Sequence, residues 1–474
     1  MWMGIDLGTQ SVRAVIASDS GKILGSGSAP LTGVRDGVRH EQLPDHWWTA
    51  VCAAARQALR DCPAPRALAV CSTSGTVLLT DRTGRPLTPA LMYDDGRAGA
   101  EAVRARTPPA WALPKVMWLL AEYGGRDDGA RVTHQADFVV ARLAGHPLAT
   151  DSSHALKTGY ALEREDWPHG RLAGLGLPEG LFPPVVRPGR RIGTVGAAAA
   201  AETGIAVGTP VIAGMTDGCA AQIASGALTI GSWNAVLGTT LVLKGVTREP
   251  VTDPTGALYN HRAPDGNWLP GGASGAGGGA LTAAFPGADP ARLDEAAAAG
   301  GPGDVVAYPL AAHGERFPFL APGAHGFLLG EPASDAEHWA ALLTGVGLVE
   351  RLCLDYLDLL GAPVRGPLTF TGGAVRSDHW NRLRTDILGR TVRIPHHTEP
   401  ALGMAVLAAY GAGAAGTVHE AAGRMVRLRR TLHPDPARTA RQLGPYLRLV
   451  DELERRGWLP AALAAHARTR TEHP

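Results

Sequence analysis

Met3-Gly-Ile-Asp-Leu-Gly-Thr-Gln-Ser-Val-Arg-Ala-Val-Ile-Ala17 is the stretch on which the reading of the whole chain turns. Apolar residues flank a Gly-Thr pair on both sides, which reads as strand, tight glycine turn, strand. A second such unit follows at Gly21 to Ser28. Apolar and small residues from His46 to Leu59 have helical spacing, and Arg66 to Ser72 returns to a buried strand. Hairpins, helices and apolar strands in alternation predict α/β lobes. Further along, the proline-rich loop Leu181-Phe-Pro-Pro-Val-Val-Arg-Pro-Gly189 leads to a short strand, Val211-Ile-Ala-Gly214. Met215-Thr-Asp217-Gly218 and a small-residue helix from Cys219 to Ala227 come next. At Ser232 the opening pattern returns: Ala235-Val-Leu-Gly238-Thr239-Thr240-Leu-Val-Leu-Lys244 is again strand, Gly-Thr turn, strand. Each half begins with the same hairpin. The expected division is therefore a first lobe over residues 1–230, a second over 231–426, and a helical extension on the second lobe over the Arg- and Ala-rich residues 427–474.

The bulk numbers agree with such an arrangement. A chain of 474 residues exceeds one compact core. Hydrophobic residues at 45% and charged residues at 19% are those of an ordinary globular enzyme. A formal net charge of +1 gives no broad attraction to nucleic acid or membrane. The five cysteines have no Cys-x-x-Cys spacing, and an odd count argues against a disulfide framework. No apolar run approaches the roughly 20 residues of a membrane span. Met1 to Ala14 enters the strand pattern without a signal-peptide pattern, so the cytoplasm is the expected location.

Several segments carry chemistry. Asp6 ends a buried strand and precedes Gly8-Thr9-Gln10-Ser11, which puts a carboxylate, backbone N–H groups and hydroxyls around one point. That set suits a magnesium-bound polyphosphate; it equally suits an Asp that satisfies a hairpin turn. Gly238-Thr239-Thr240 offers the same chemistry a second time, or a common strand turn. Asp217 follows a buried strand, where it could take a proton from a substrate hydroxyl or cap the next helix. Gly271 to Gly279 and Thr371-Gly372-Gly373-Ala374 would let a nucleotide lie against bare backbone, or let helices pack closely. Ser72-Thr-Ser-Gly-Thr76 could donate hydroxyls to a sugar or form a polar turn. No G-x-x-x-x-G-K-[ST] loop and no protein-kinase motif set is present. His396-His397 near Glu399 lacks further spaced ligands and reads as a surface loop.

Taken in order, these segments resemble the FGGY family of carbohydrate kinases, from the N-terminus to about residue 415. The anchors are Gly4-Ile-Asp-Leu-Gly-Thr9, Glu41-Gln42 before Trp47-Trp48, Pro89 to Asp95 with Arg97, and Gly214-Met-Thr-Asp217. Leu237-Gly-Thr-Thr240, Thr371-Gly-Gly-Ala374 with Trp380-Asn381, and Ala401-Leu-Gly-Met-Ala405 complete them. The resemblance implies a two-lobed actin/Hsp70-like (ribonuclease H-like) ATPase fold with a catalytic cleft between the lobes. It implies ATP and Mg2+ as cofactors, a small sugar or polyol as substrate, and a homodimer by fold analogy. At matching positions Asp6 would lie near magnesium and substrate, Gly8, Thr9 and Gln10 near the phosphates, and Asp217 would be the base. Gly238 and Thr239 would form a second phosphate contact, and Gly372, Gly373 and Asn381 would line the adenine and ribose pocket.

Within the family the chain looks most like the D-ribulokinase-like branch, through Ser72 to Leu79, His154 to Tyr160, Leu258 to Arg262, Trp268 to Ser274, and Tyr308 to Leu310 with Gly314 to Pro318. Typical xylulokinases carry Gln-Met-His-Gly where this chain has Ser72 to Gly75, which argues against D-xylulose as preferred substrate. Two departures stand out. Pro114 falls directly before Lys115, and Gln10 and Val12 replace smaller residues after the turn. The rival readings are another ketose or polyol kinase, an ATP-driven switch of the same fold, and a sugar sensor without turnover.

Overall fold

Extended, fully buried apolar residues on either side of Gly8-Thr9-Gln10 form the first hairpin. β1 (Trp2–Leu7) and β2 (Ser11–Ala17) pair antiparallel, and β3 (Ile23–Pro30) continues the meander. The computed structural model describes residues 1–124, 129–300 and 303–472, so the last two residues of the expected extension lie outside the described residues. The chain divides into two units. One comprises Met1–Gly226, His261–Gly266 and His397–Arg427; the other comprises Ala227–Asn260, Asn267–His396 and Leu428–Pro474.

In the first unit β4 (Leu68–Ser72), β5 (Arg191–Thr194) and β6 (Pro210–Ile212) extend the meander to the order β5-β6-β4-β1-β2-β3. β4 runs parallel to β1 and β6 parallel to β4. β1 and β4 are buried at every position, which is why they read as continuous apolar runs rather than alternating ones. Helix α1 (Pro44–Leu59) packs on β2 and β3 through Trp47, Val51, Ala54 and Ala58. Helix α2 (Asp217–Ser225) follows β6.

The second unit repeats the plan. β7 (Trp233–Leu237), β8 (Leu241–Gly245) and β9 (Trp268–Ser274) form an antiparallel meander. β10 (Leu368–Thr371) and β11 (Val392–Pro395) then add in parallel beside β7, and β12 (Leu428–Leu432) closes the edge antiparallel. Helix α3 (Asp335–Leu359) starts where Ser334 Oγ accepts the Glu337 N–H at 3.2 Å, a Ser-x-x-Glu start legible in sequence. Helix α4 (Asp378–Leu388) packs against it, with Arg384 and Glu350 paired between them at 2.7 and 2.8 Å. After β12 come helices Pro436–Arg441, Leu443–Arg455 and Ala461–Glu472; Tyr446 donates to Asp355 of α3 at 2.5 Å.

Helix α5 (Pro400–Gly411) belongs to the first unit, packed on β1 and α2. Glycine makes that seat possible. A Cβ at Gly4 would lie 1.8 Å from the Ala401 carbonyl oxygen, and one at Gly403 would lie 2.0 Å from that of Ala220. The Ala-Leu-Gly-Met-Ala segment is thus a close-packing device beneath the strand that ends in Asp6. Among the described residues no helix is long and apolar enough to cross a membrane.

Candidate active site

Two carboxylates meet electrostatically on the first unit. Asp6 sits near the end of β1, opposite Cys71 on β4, and is 7% exposed. Its hydrogen-bond donor is the Cys71 thiol, 3.5 Å from Oδ1, a weak partner for a buried anion. Burial, and then the charge of Asp217, push its pKa up to about 7. Asp217 is the first residue of α2, with Thr216 in the cap position, and its Oδ1 accepts the Gly218 N–H at 2.7 Å. The side chain is half-buried. It therefore sits in the first turn, where a helix N-terminus favours negative charge. Gly8, Thr9 and Gln10 form the turn beside Asp6. Gly8 N–H bonds the Ser11 carbonyl at 3.0 Å, and the Gln42 amide holds the Thr9 carbonyl at 2.8 Å.

Ser72 lies deeper than a sugar-contacting hydroxyl. It is fully buried, its oxygen takes the Ala136 N–H at 3.1 Å, and it lies 2.9 Å from His154 Nε2. His154 Nδ1 is 2.6 Å from Asp151 Oδ2. The order Ser-His-Asp imitates a hydrolase triad, but a fully buried oxygen that already accepts an amide cannot attack a substrate. Next to it, Thr73 bonds Gln135 and Thr76 at 2.8 and 2.6 Å. Lys115, fully buried, donates to the carbonyls of Gly75, Tyr93, Ala110 and Trp111 at 2.9–3.3 Å. Burial, reinforced by Lys157, drops its pKa to about 7. Pro114 before it is accommodated in the first turn of the helix Ala112–Tyr123, where a missing N–H is harmless. The sequence reading passed over Asp151 and its pairing with His154, for which the Asp-x-x-His spacing at a helix start was the available signal.

The second unit gathers glycine backbone. Gly238 and Thr239 form the turn between β7 and β8, with Gly238 N–H on the Thr240 carbonyl at 3.1 Å. Gly278 and Gly279 N–H groups bond the carbonyls of Gly238 and Thr239 at 2.8 and 3.0 Å, so the glycine-rich segment backs this turn. Gly372 has φ +87°, and a Cβ there would lie 2.5 Å from the Leu237 carbonyl oxygen. Gly373 opens a short 3-10 turn, Gly373–Arg376. Asn381 is fully buried; its amide donates to the Val375 carbonyl at 2.9 Å, tying α4 to that turn. Its Oδ1 has no hydrogen-bond partner among the described residues. A cavity of about 560 Å3 in this unit, lined by residues including Tyr308, His313, His325 and His338, includes none of these residues in its wall.

A meander, two parallel strands and a Gly-Thr hairpin, built twice in one chain, define a two-domain α/β phosphotransferase fold. The chain belongs to the FGGY family of carbohydrate kinases: the family's N-terminal domain matches residues 1–224 and its C-terminal domain residues 233–412. It is a sugar kinase. The xylulose kinase of Streptomyces rubiginosus is 29% identical over 486 residues, covering 95% of this chain and 93% of that one. That of Streptomyces coelicolor is 32% identical over 436 residues, covering 86% and 87%. The crystal structure of xylulose kinase from Rhodospirillum rubrum matches with a TM-score of 0.83 and 27% identity, over 96% of this chain and 99% of that one.

Proposed function

We propose that the chain transfers the γ-phosphoryl group of ATP to the terminal primary hydroxyl of a small ketose, with D-ribulose as the first substrate. The observation that carries this reading is the unequal carboxylate pair of the first unit: Asp6 buried, Asp217 half-buried at a helix start. Asp217 is the base. It takes the hydroxyl proton as the substrate oxygen bonds to the γ-phosphorus and the bond to the β,γ-bridging oxygen breaks. Asp6 is the residue that would hold Mg2+. A buried carboxylate beside a second one, with a thiol as donor, fits an ion that takes one or two carboxylates plus water and phosphate oxygens. When bound, the ion neutralises phosphate charge. Gly8, Thr9 and Gln10 would meet phosphate beside Asp6. The turn at Gly238 and Thr239, and the bare backbone at Gly372 and Gly373, fit a nucleotide, with Asn381 bracing the second of these from within.

The choice of D-ribulose rests on Ser72 to Gly75 standing where typical xylulokinases carry Gln-Met-His-Gly. D-xylulose is the second reading, favoured by the xylulose kinases among the relatives. The test is ADP release with Mg-ATP across D-ribulose, L-ribulose, D-xylulose, L-xylulose, ribitol, xylitol, glycerol and gluconate, with Asp217→Asn in parallel. Turnover greatest with D-ribulose and lowered about 10³-fold in the variant is the expected result. Preference for another sugar overturns the ribulose assignment; unaltered turnover in the variant overturns the base.

A further inference from the structure

Behind Asp217 lies a chain of buried hydrogen bonds that the phosphotransfer step above does not use. Asp151 Oδ1 accepts the N–H groups of Ser153 and His154, both at 2.9 Å, which caps the short helix Ser152–Ala155. Its Oδ2 holds His154 Nδ1 at 2.6 Å, and His154 Nε2 meets Ser72 Oγ at 2.9 Å. From the same helix, Ser153 Oγ accepts the Thr216 N–H at 3.0 Å and pairs with the Thr216 hydroxyl at 3.0 Å. Thr216 is the cap of the helix that Asp217 opens. Asp151, Ser153, His154, Ser72 and Thr216 are each at most 4% exposed. One short segment thus holds both the backbone next to Asp217 and an imidazole.

The charges around that imidazole are mostly negative. Asp151 faces it from its own segment, Asp137 from the helix Gln135–Ala144, and Asp217 from α2. His134 stacks beside it, ring centroids 5.8 Å apart, but is engaged with Asp137 at 2.6 Å. Ser72, from β4, adds no charge. Lys157, one turn on, donates to the Ser74 carbonyl at 3.2 Å. Burial is the largest influence on His154 and opposes its charge. The three carboxylates together outweigh it and hold the imidazole's pKa above its ordinary value.

We propose that His154 is a positioning residue for Asp217: the Asp151–His154–Ser72 chain and Ser153, all held by one short segment, fix the start of the helix that Asp217 opens, and the charge state of the imidazole is coupled to that of the Asp217 carboxylate. The reasoning is reciprocal. If the Asp217 charge favours a protonated His154, then a protonated His154 favours an ionised Asp217 by the same free energy. The Asp217 charge also acts on Asp6, whose carboxyl it helps to push up, so the two carboxylates disfavour each other's ionisation and a positive charge behind Asp217 would offset that. His154 touches no substrate in this scheme; it acts through Asp217. The role rests on the assignment of Asp217 as base.

The decisive measurement needs no substrate. Histidine-selective 13Cε1 NMR of the full chain follows the His154 titration in the wild type and in Asp217→Asn, with the resonance assigned by its loss in His154→Gln. The expected result is a midpoint above that of an exposed histidine, falling by about half a pH unit or more in Asp217→Asn. An unchanged midpoint overturns the coupling. Kinetics give the second arm. In His154→Gln and His154→Asn the acid limb of kcat/KM moves to higher pH by about one unit, with KM for ATP unaltered. A loss of rate that is uniform over pH, or one confined to KM, makes His154 a structural residue and overturns the proposal. If the wild type releases no ADP with any sugar, the kinase reading of the site fails, and the NMR result still decides the coupling.

Discussion

The two hairpins share a frame and differ where it matters. β1 ends Ile5-Asp6-Leu7 and turns at Gly8-Thr9, and β7 ends Ala235-Val236-Leu237 and turns at Gly238-Thr239. Each strand has an antiparallel partner on one side and a parallel one on the other. Asp6 faces Cys71 across its parallel ladder, and Val236 faces Thr371 across the equivalent one. So one frame carries a buried carboxylate and the other an apolar side chain at the same place. The second unit buries charge too, but in balanced form: Arg384 and Glu350 are fully buried, joined by two hydrogen bonds, with the guanidinium 3.6 Å over the Phe370 ring. Among the described residues Asp6 forms no such ion pair, and its side-chain hydrogen bond comes from the Cys71 thiol. A carboxylate kept buried against its own solvation energy is a stability cost that a reactive site retains and a scaffold removes.

Asp6→Asn probes that cost most sharply. The expected loss of turnover is on the order of 10³-fold, with the protein folded. Stability moves the other way. The pKa of Asp6 rises from 3.8 unfolded to about 7 folded, so between those values the folded state binds more protons and stability falls as pH rises. Above pH 7 the whole penalty is present, on the order of 4 kcal/mol. Denaturant titrations in metal-free buffer should find the variant more stable than wild type at pH 8 and little different near pH 4. Equal stability at both would mean that Asp6 is not held against its solvation energy, and the contrast between the units would collapse.

Arg384→Met should do the opposite. It leaves Glu350 buried without its partner, which costs about 3–5 kcal/mol. The variant is expected to unfold at lower denaturant at pH 7, while turnover per folded molecule stays near wild type. An undiminished midpoint would show that the Arg384–Glu350 pair contributes nothing net, and that both units tolerate buried charge alike.

Much of this was legible in the residues. Gly-Thr between apolar runs marked both hairpins, because a tight turn between buried strands has few alternatives in composition. Asp6 and Asp217 stood out because each carboxylate follows an apolar strand. Depth was not legible. Ser72 reads from sequence as a hydroxyl that could meet a sugar, and Asn381, through the resemblance, as a lining of the nucleotide pocket, yet both are fully buried and hydrogen-bonded to the protein itself, Ser72 to His154, 82 positions on, and Asn381 to Val375. Nor does any local pattern say which sheet α5 joins. That is settled by bare backbone at Gly4 and Gly403, seen only when the partners are brought together. The Arg384–Glu350 pair is similarly hidden, since its members lie 34 positions apart on two helices.

The smallest expected effect tests whether the hairpins have different partners at all. Val236→Asp installs at the second turn the carboxylate that the first already has. Val236 is half-buried and Gly238 and Thr239 beyond it are exposed, so the added charge is solvated and the fold should persist. If this turn meets the donor's phosphates, the new charge repels them. Two like charges several ångströms apart near a surface interact by about 1 kcal/mol, which raises KM for ATP roughly 5- to 10-fold. KM for the sugar should not move, and added salt should shrink the effect because exposed charges are screened within about 10 Å at 0.1 M ionic strength. Val236→Thr, isosteric but neutral, controls for packing. A rise in the sugar's KM with ATP unaffected would reverse the roles given to the two hairpins. No change in either would remove the second turn from the site.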